Sequence, residues 1–240
     1  MEYVGYLLAA LFVSAIGWLI YQYSEVERDL ALEKIARRAG MNFRFGLPQE
    51  LKDVLPRFRV IEDAQAKGGD FTAGINSIVG TRRDRKLVFF DFQWTTVVYV
   101  STWRRSIWRG GGYDNLPHTR THRRSAVAAQ LGVPVQPVLI RPERIVDKAL
   151  ALVGYEDIDF TSMPEFSERF YVNSPDREFA RRIVTPAVSR FFLENVTCTV
   201  DFVGPWLLLH DDAPMRSSSV EHRLELASRL ADLVTRESAR

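Results

Sequence analysis

Hydrophobic positions change period twice along the chain. Residues 3–23, YVGYLLAALFVSAIGWLIYQY, carry no charge, and Ser14 and Gln22 are the only polar residues among their non-aromatic side chains. A helix of this length covers roughly 30 Å, enough to cross a hydrocarbon core. Apolar side chains occupy every face instead of one stripe. Tyr3, Tyr6, Trp18, Tyr21 and Tyr23 fall toward the two ends, where amphipathic rings sit at headgroup level. The pattern predicts a transmembrane anchor over 1–24. A cleaved signal peptide is disfavoured, because only Met1 and Glu2 precede the run and no small-x-small pair follows it. Residues 25–40 read as a juxtamembrane helix, with Val26, Leu30, Ala31, Leu32, Ile35 and Ala36 on a stripe and Gly40 as a left-handed stop.

From 41 to 142 the period shortens toward two. Met41 to Phe45 reads as a short strand, Pro48 to Leu55 as one or two helical turns, and Phe58 to Glu62 as strand. Ile75 to Thr81 and Lys86 to Val100 are rich in Val, Ile, Phe, Thr and Trp and flank the charged turn Arg82-Arg83-Asp84-Arg85. Gly110-Gly111-Gly112 argues against a regular element over 103–115. Thr121 to Leu131 and Val135 to Arg141 resume strand character. This stretch predicts an antiparallel meander, a mainly β half with a basic hairpin loop over 101–121.

Residues 143–240 alternate helix and strand signals. Ile145, Ala149, Leu152 and Val153 suit a helix stopped by Gly154, and Phe166 to Val172 suits a strand. Ser174-Pro175-Asp176 and Thr185-Pro186 are helix starts with a cap and an early proline. Thr197 to Val203 and Trp206 to His210 read as two strands joined by Gly204-Pro205. Ser218 and Glu221 form a capping box for a final amphipathic helix bearing Val220, Leu224, Ala227, Ala231 and Val234. The expected fold class is α+β: a transmembrane helix, then a soluble domain with an antiparallel sheet and packed helices.

Composition narrows the functional classes. Hydrophobic residues make up 46% of the 240 and charged residues 26%, values of an ordinary folded chain, and the net charge of +2 gives no global field for nucleic acid. Charge is nonetheless segregated: residues 80–125 hold ten Lys/Arg against three acids, and residues 155–168 hold five acids and no base. Such patches can simply face each other. No Lys or Arg precedes the apolar run, whereas Arg28, Lys34, Arg37 and Arg38 follow it. The positive-inside rule then places the C-terminal domain in the cytoplasm, giving a single-pass protein of the cell membrane. One cysteine, Cys198, forms no internal disulfide and reads as a small core residue.

Candidate chemistry is sparse. His118 and His122 are four apart, but Pro117 and the Thr-Arg-Thr context favour strand or loop, where that spacing does not converge on a metal. The triple glycine lacks the Lys-Ser/Thr of a phosphate-binding loop, so no cofactor is expected. Asp157, Asp159, Asp211 and Asp212 would have to meet at two strand ends to serve a hydrolase, with no nucleophile elbow around Thr161 or Ser162. The loop bearing Trp103, Arg104, Arg105, Trp108, Arg109, Tyr113, Arg120, Arg123 and Arg124 mixes cations with aromatic rings. It suits contact with another protein or with anionic lipid, and less so nucleic acid. Ala10, Ser14 and Gly17 share a helix face on which the chain could self-associate.

Several short strings, Phe90-Asp91-Phe92-Gln93-Trp94, the run from Tyr155 to Phe166, Phe170-Tyr171-Val172, Ser174-Pro175-Asp176, Thr185-Pro186 and Trp206-Leu207-Leu208-Leu209, occur in order. Over roughly residues 86–210 the chain resembles a group of uncharacterised single-pass bacterial membrane proteins of unknown function. It departs from them in a longer basic loop between Ser101 and Thr121. The resemblance implies a class of object and carries no catalytic residue. The sequence therefore reads as a membrane-anchored, non-enzymatic interaction module, a subunit or accessory factor of a membrane assembly. A membrane-associated hydrolase using clustered carboxylates and a peripheral domain for anionic lipid are the alternatives.

Overall fold

A computed structural model describes residues 2–66, 70–106, 110–143 and 158–238. Helix α1 runs unbroken over Glu2–Arg38. Strand β1 (Asn42–Arg44), helix α2 (Gln49–Lys52), a 3-10 turn (Leu55–Arg57) and helix α3 (Arg59–Ala66) follow. Then come three long strands, β2 (Phe71–Arg82), β3 (Arg85–Ser106) and β4 (Gly110–Pro142). Helix α4 (Pro164–Arg169), strand β5 (Phe170–Asn173), helices α5 (Arg177–Ile183) and α6 (Pro186–Asn195), strand β6 (Thr199–His210) and helix α7 (Ser217–Ser238) complete the order.

All strand pairs are antiparallel, in the order β1-β2-β3-β4-β5, with β6 also paired to β4. Because β4 pairs with both β5 and β6, one sheet links the first half of the chain to the second. Side-chain alternation divides that sheet between two cores. Leu87 and Phe89 of β3, Val127 and Ala129 of β4, and Leu207 and Leu209 of β6 face a large core closed by the C-terminal part of α1 and by α4–α7. Their neighbours Val88, Phe90, Ala126, Ala128, Trp206 and Leu208 face a smaller core closed by α2 and α3. The expected α+β class and antiparallel sheet are thus present.

Local signals act where they stand in the chain. Arg83 and Asp84 both have positive φ, 52° and 60°, as the tight turn between two twisted strands requires. Gly40, at φ 66°, ends α1 as expected. Asp176 caps α5 by accepting from the Phe179 N–H, and Thr185 caps α6 by accepting from the Val188 N–H.

Other expectations need correction. Among the described residues no helix is long and apolar enough to cross a membrane, which overturns the transmembrane reading of 3–23 and the single-pass placement built on it. The apolar run is the first part of a 37-residue helix whose later turns dock on the sheet through Leu32, Ile35 and Ala36. Phe58 to Glu62 is not strand: Val60, Ile61 and Ala64 share one face of α3 at helical spacing. The glycines at 110–112 do not interrupt the ladder, since Gly111 and Gly112 stand opposite Arg105 and Arg104. Gly204-Pro205 does not separate two strands but sits within β6 as an irregularity, with Gly204 at φ 56°. The helix expected around 145–153 lies outside the described residues.

Asp91 organises the large core. Odd-numbered like Leu87 and Phe89, it faces α1, and it is fully buried. Its Oδ1 accepts from Arg28 Nη2 (2.8 Å) and from the Ser125 hydroxyl, and its Oδ2 accepts from Arg28 Nε (2.8 Å) and Arg123 Nη2 (3.0 Å). Arg28 Nη1 donates in turn to the Met215 carbonyl, and Ser125 Oγ accepts from the Met215 N–H. Burial pushes the Asp91 carboxyl up, but the two guanidinium groups and the Ser125 hydroxyl outweigh it and hold the carboxyl below its ordinary range. Replacing Asp91 by Asn leaves the largely buried Arg28 without a counter-charge, while Arg123 retains Glu25, so unfolding free energy should fall by about 3 kcal/mol, measured by urea titration at neutral pH.

Candidate functional site

Two places outside the packed cores bring chemistry-bearing residues together: a projecting arm and a cleft beside α3.

The arm is the continuation of β3 and β4 past the sheet. From Thr96↔Arg120 to Ser106↔Gly110 the two strands pair with each other alone. This stretch is about 40 Å long at strand rise. Successive residues Val97, Val98, Tyr99 and Val100 are exposed, at 55%, 46%, 69% and 41%, so neither face of the ribbon is covered. Leu116, opposite Val100, is exposed as well. Near the arm's root α1 crosses the sheet: Arg28 meets Asp91, and Glu25 meets Arg123, which stands opposite Gln93. Moving along α1 toward its N-terminus therefore follows β3 toward its tip. Residues 2–24 of α1, about 34 Å of helix, project on the same side as the arm, with Phe12, Val13, Ile16 and Leu19 exposed.

The candidate contact residues fall along this ribbon. Trp103 pairs with Tyr113, and Arg104 and Arg105 stand opposite glycines near the tip. Trp108 and Arg109 lie outside the described residues. Arg120 is exposed opposite Thr96. The two arginines at the root are engaged within the fold. Arg123 bridges Glu25 and Asp91, while Arg124 pairs with Asp212 at 3.1 Å and lies over the Trp94 ring. His122 stacks on the same Trp94 ring, with centroids 5.0 Å apart, and its Nε2 is 2.9 Å from Thr96 Oγ1. His118 is opposite Val98 in the strand, so the histidine pair does not share a helix.

The expected carboxylate cluster is largely drawn into ion pairs. Asp211 bonds Arg223 at 2.9 Å and Asp212 bonds Arg124; Asp159 is exposed, and Asp157 lies outside the described residues. Among the described residues no group of three or more His, Cys, Asp or Glu is placed to hold a metal ion. Cys198 is buried, and burial pushes its thiol up to about 12, far from a reactive thiolate at neutral pH.

A feature not legible in the sequence is a cleft of about 780 Å3 between α3 and the ribbon of β4 and β6. Asp201 and His210 both line it although nine residues separate them in β6. In a regular strand an odd and an even position face opposite sides. The register shifts in the β4–β6 ladder between Gln130 and Val138, with Gly204 at positive φ, switch that parity, so that Val203 shares the α3 side with Trp206 and Leu208, and Asp201 and His210 open onto one cleft. Asp201 is buried beneath the start of α3, where its Oδ2 accepts from the Arg59 backbone N–H at 2.6 Å. Burial pushes this carboxyl up to about 7, against the opposing pull of Arg59; Glu62 and Asp63 add to the rise.

The folded state therefore binds a proton at Asp201 that the unfolded chain, titrating near pH 4, has released. Stability from this group is fully present below about pH 4 and is lost as pH rises through about 7. Asp201→Asn retains an acceptor for the Arg59 N–H and has no such proton. The variant should gain on the wild type by on the order of a few kcal/mol between pH 5 and pH 8 in thermal or urea unfolding.

No protein-family model matches the chain, and no curated protein matches it. Its fold is similar to the crystal structure of the mycobacterial trehalose monomycolate transport factor A, with a TM-score of 0.50 and 14% identity over 87% of this chain and 93% of that one. At that identity the likeness is one of fold.

Proposed function

We propose that the protein is a non-enzymatic accessory factor of a membrane transport assembly and binds a protein subunit of it through the β3–β4 arm. The arm carries this reading. A two-stranded ribbon is marginal on its own in water, and this one exposes consecutive apolar residues, Val97 to Val100, on both faces. Exposed apolar strands with cationic and aromatic residues toward the tip are a surface suited to a protein partner. The fold neighbour, a transport factor, supports the accessory-factor class. So does the engagement of Asp211 and Asp212 in ion pairs, which leaves them poor candidates for acid–base work.

A photoreactive phenylalanine analogue placed at Tyr99 or Leu116 should crosslink in cells to a subunit of a transport machine, identified by mass spectrometry. The same probe at exposed Arg177, remote from the arm in the chain, should not. Crosslinks only between copies of this chain, or none at all, would refute the reading. Tyr99→Glu should abolish the crosslink made through Leu116 while changing stability by less than about 0.5 kcal/mol, as expected of an exposed side chain.

A further inference from the structure

The cleft beside α3 goes beyond that reading, since it is separate from the arm and has the size of a small-molecule site. Its wall contains polar groups the fold itself does not satisfy. Trp94 is 4% exposed, and its indole Nε1–H is buried with no acceptor among the described residues. Native interiors leave few such donors. Asp201 is 3% exposed and has Oδ2 occupied by the Arg59 N–H, whereas among the described residues Oδ1 makes no hydrogen bond. Four guanidinium groups line the same cavity. Arg59 lies near Glu62 and Asp63, Arg124 near Asp212, and Arg141 over the Tyr171 ring. Arg57, on the rim, forms no ion pair among the described residues.

What remains to meet a ligand is thus mainly donors. A guanidinium donates. When Asp201 is protonated its Oδ1 carries the hydrogen and donates too, because Oδ2 is already an acceptor. We propose that this cleft binds a small organic oxyanion, a carboxylate or a phosphate monoester, through the Arg57 guanidinium and the Asp201 side chain, with the Trp94 indole in the wall beside them. Charge-assisted bonds from arginine suit either anion. Val60, Ala64, Pro137 and Pro175 supply apolar wall for the organic part. Ionised Asp201 would repel the anion, so the site favours occupancy at the acid side of neutrality. Arg59, Glu62 and Asp63 of α3 act on that titration, with Arg57, Arg141, Tyr171 and His210 also bordering the cavity.

The full-length protein labelled with 15N provides the readout: the Trp94 indole N–H peak, assigned by its loss in Trp94→Phe. Citrate and glycerol 3-phosphate serve as the two anions and glucose as the neutral control. One or both anions should move this peak saturably, with a dissociation constant of about 1 mM or below, and the stronger of the two identifies the acid group. Arg57→Gln, an exposed change that leaves the fold intact, should weaken binding by about tenfold. The wild type should bind more tightly relative to Asp201→Asn at pH 6 than at pH 8, a ratio in which the titration of the anions themselves cancels. No saturable shift with either anion, an equal shift with glucose, undiminished affinity in Arg57→Gln, or a ratio of wild-type to Asp201→Asn affinity unchanged between pH 6 and pH 8 overturns the proposal.

Discussion

A single carboxylate joins the parts of this fold that are farthest apart in the chain. Asp91 receives Arg28 from α1, Arg123 and Ser125 from β4, and, through Ser125 and Arg28, the backbone at Met215. Buried ion pairs add less stability than their geometry suggests, because desolvation offsets most of the attraction. Their effect on arrangement is more definite. Only one placement of α1 satisfies both oxygens of Asp91 and both ends of the Arg28 fork, so the helix is fixed in rotation and in height on the sheet. Hydrophobic contacts from Leu32, Ile35 and Ala36 alone would tolerate sliding by a turn.

That fixed placement is why the two projecting elements lie side by side. Glu25 completes the contact by pairing with Arg123, at the point where β3 and β4 leave the sheet. Beyond it Phe12, Val13, Ile16 and Leu19 of α1 and Val97 to Val100 of the ribbon are exposed. The same strands that build both cores thus supply the exposed arm. On the opposite face, α3 closes the smaller core with Val60, Ile61 and Ala64 and leaves a cleft over Asp201. Binding surfaces and packed interior are carried by one sheet, which leaves little structure devoted to either alone.

How much of this could be read from residues depended on the range of the interaction. Turn and cap signals acted locally and were legible: the Arg82–Arg85 turn, Gly40, Asp176 and Thr185 did what their chemistry requires. The strands of the meander were visible because runs such as 87–90 and 97–100 are rich in β-branched and aromatic side chains. Misreadings arose where a longer-range contact decided the outcome. Val60 and Ile61 suggest a strand by composition, yet the sheet face above them accepts a helix. The glycines at 110–112 look like a break until strand pairing from Arg104 and Arg105 supplies the missing order. The uncharged start of the chain suggested a bilayer because periodicity does not register what the remainder of α1 docks against. The cleft was invisible for a related reason: Trp94, Asp201 and Arg57 are scattered in the chain, and only strand pairing and the seating of α3 on the sheet gather them. Asp91, likewise, stood in a string of aromatic residues with nothing local to announce its partners.

The arm has one more property, and it is mechanical. Its strands are prolongations of β3 and β4, not a separate module on a linker, so a tug along the ribbon draws both strands together and loads their ladders with β2 and β6 in shear. Rungs loaded in shear yield together, whereas rungs peeled from one end yield in turn. A pull on the arm is therefore carried into the middle of the domain and onto α1 through Arg123.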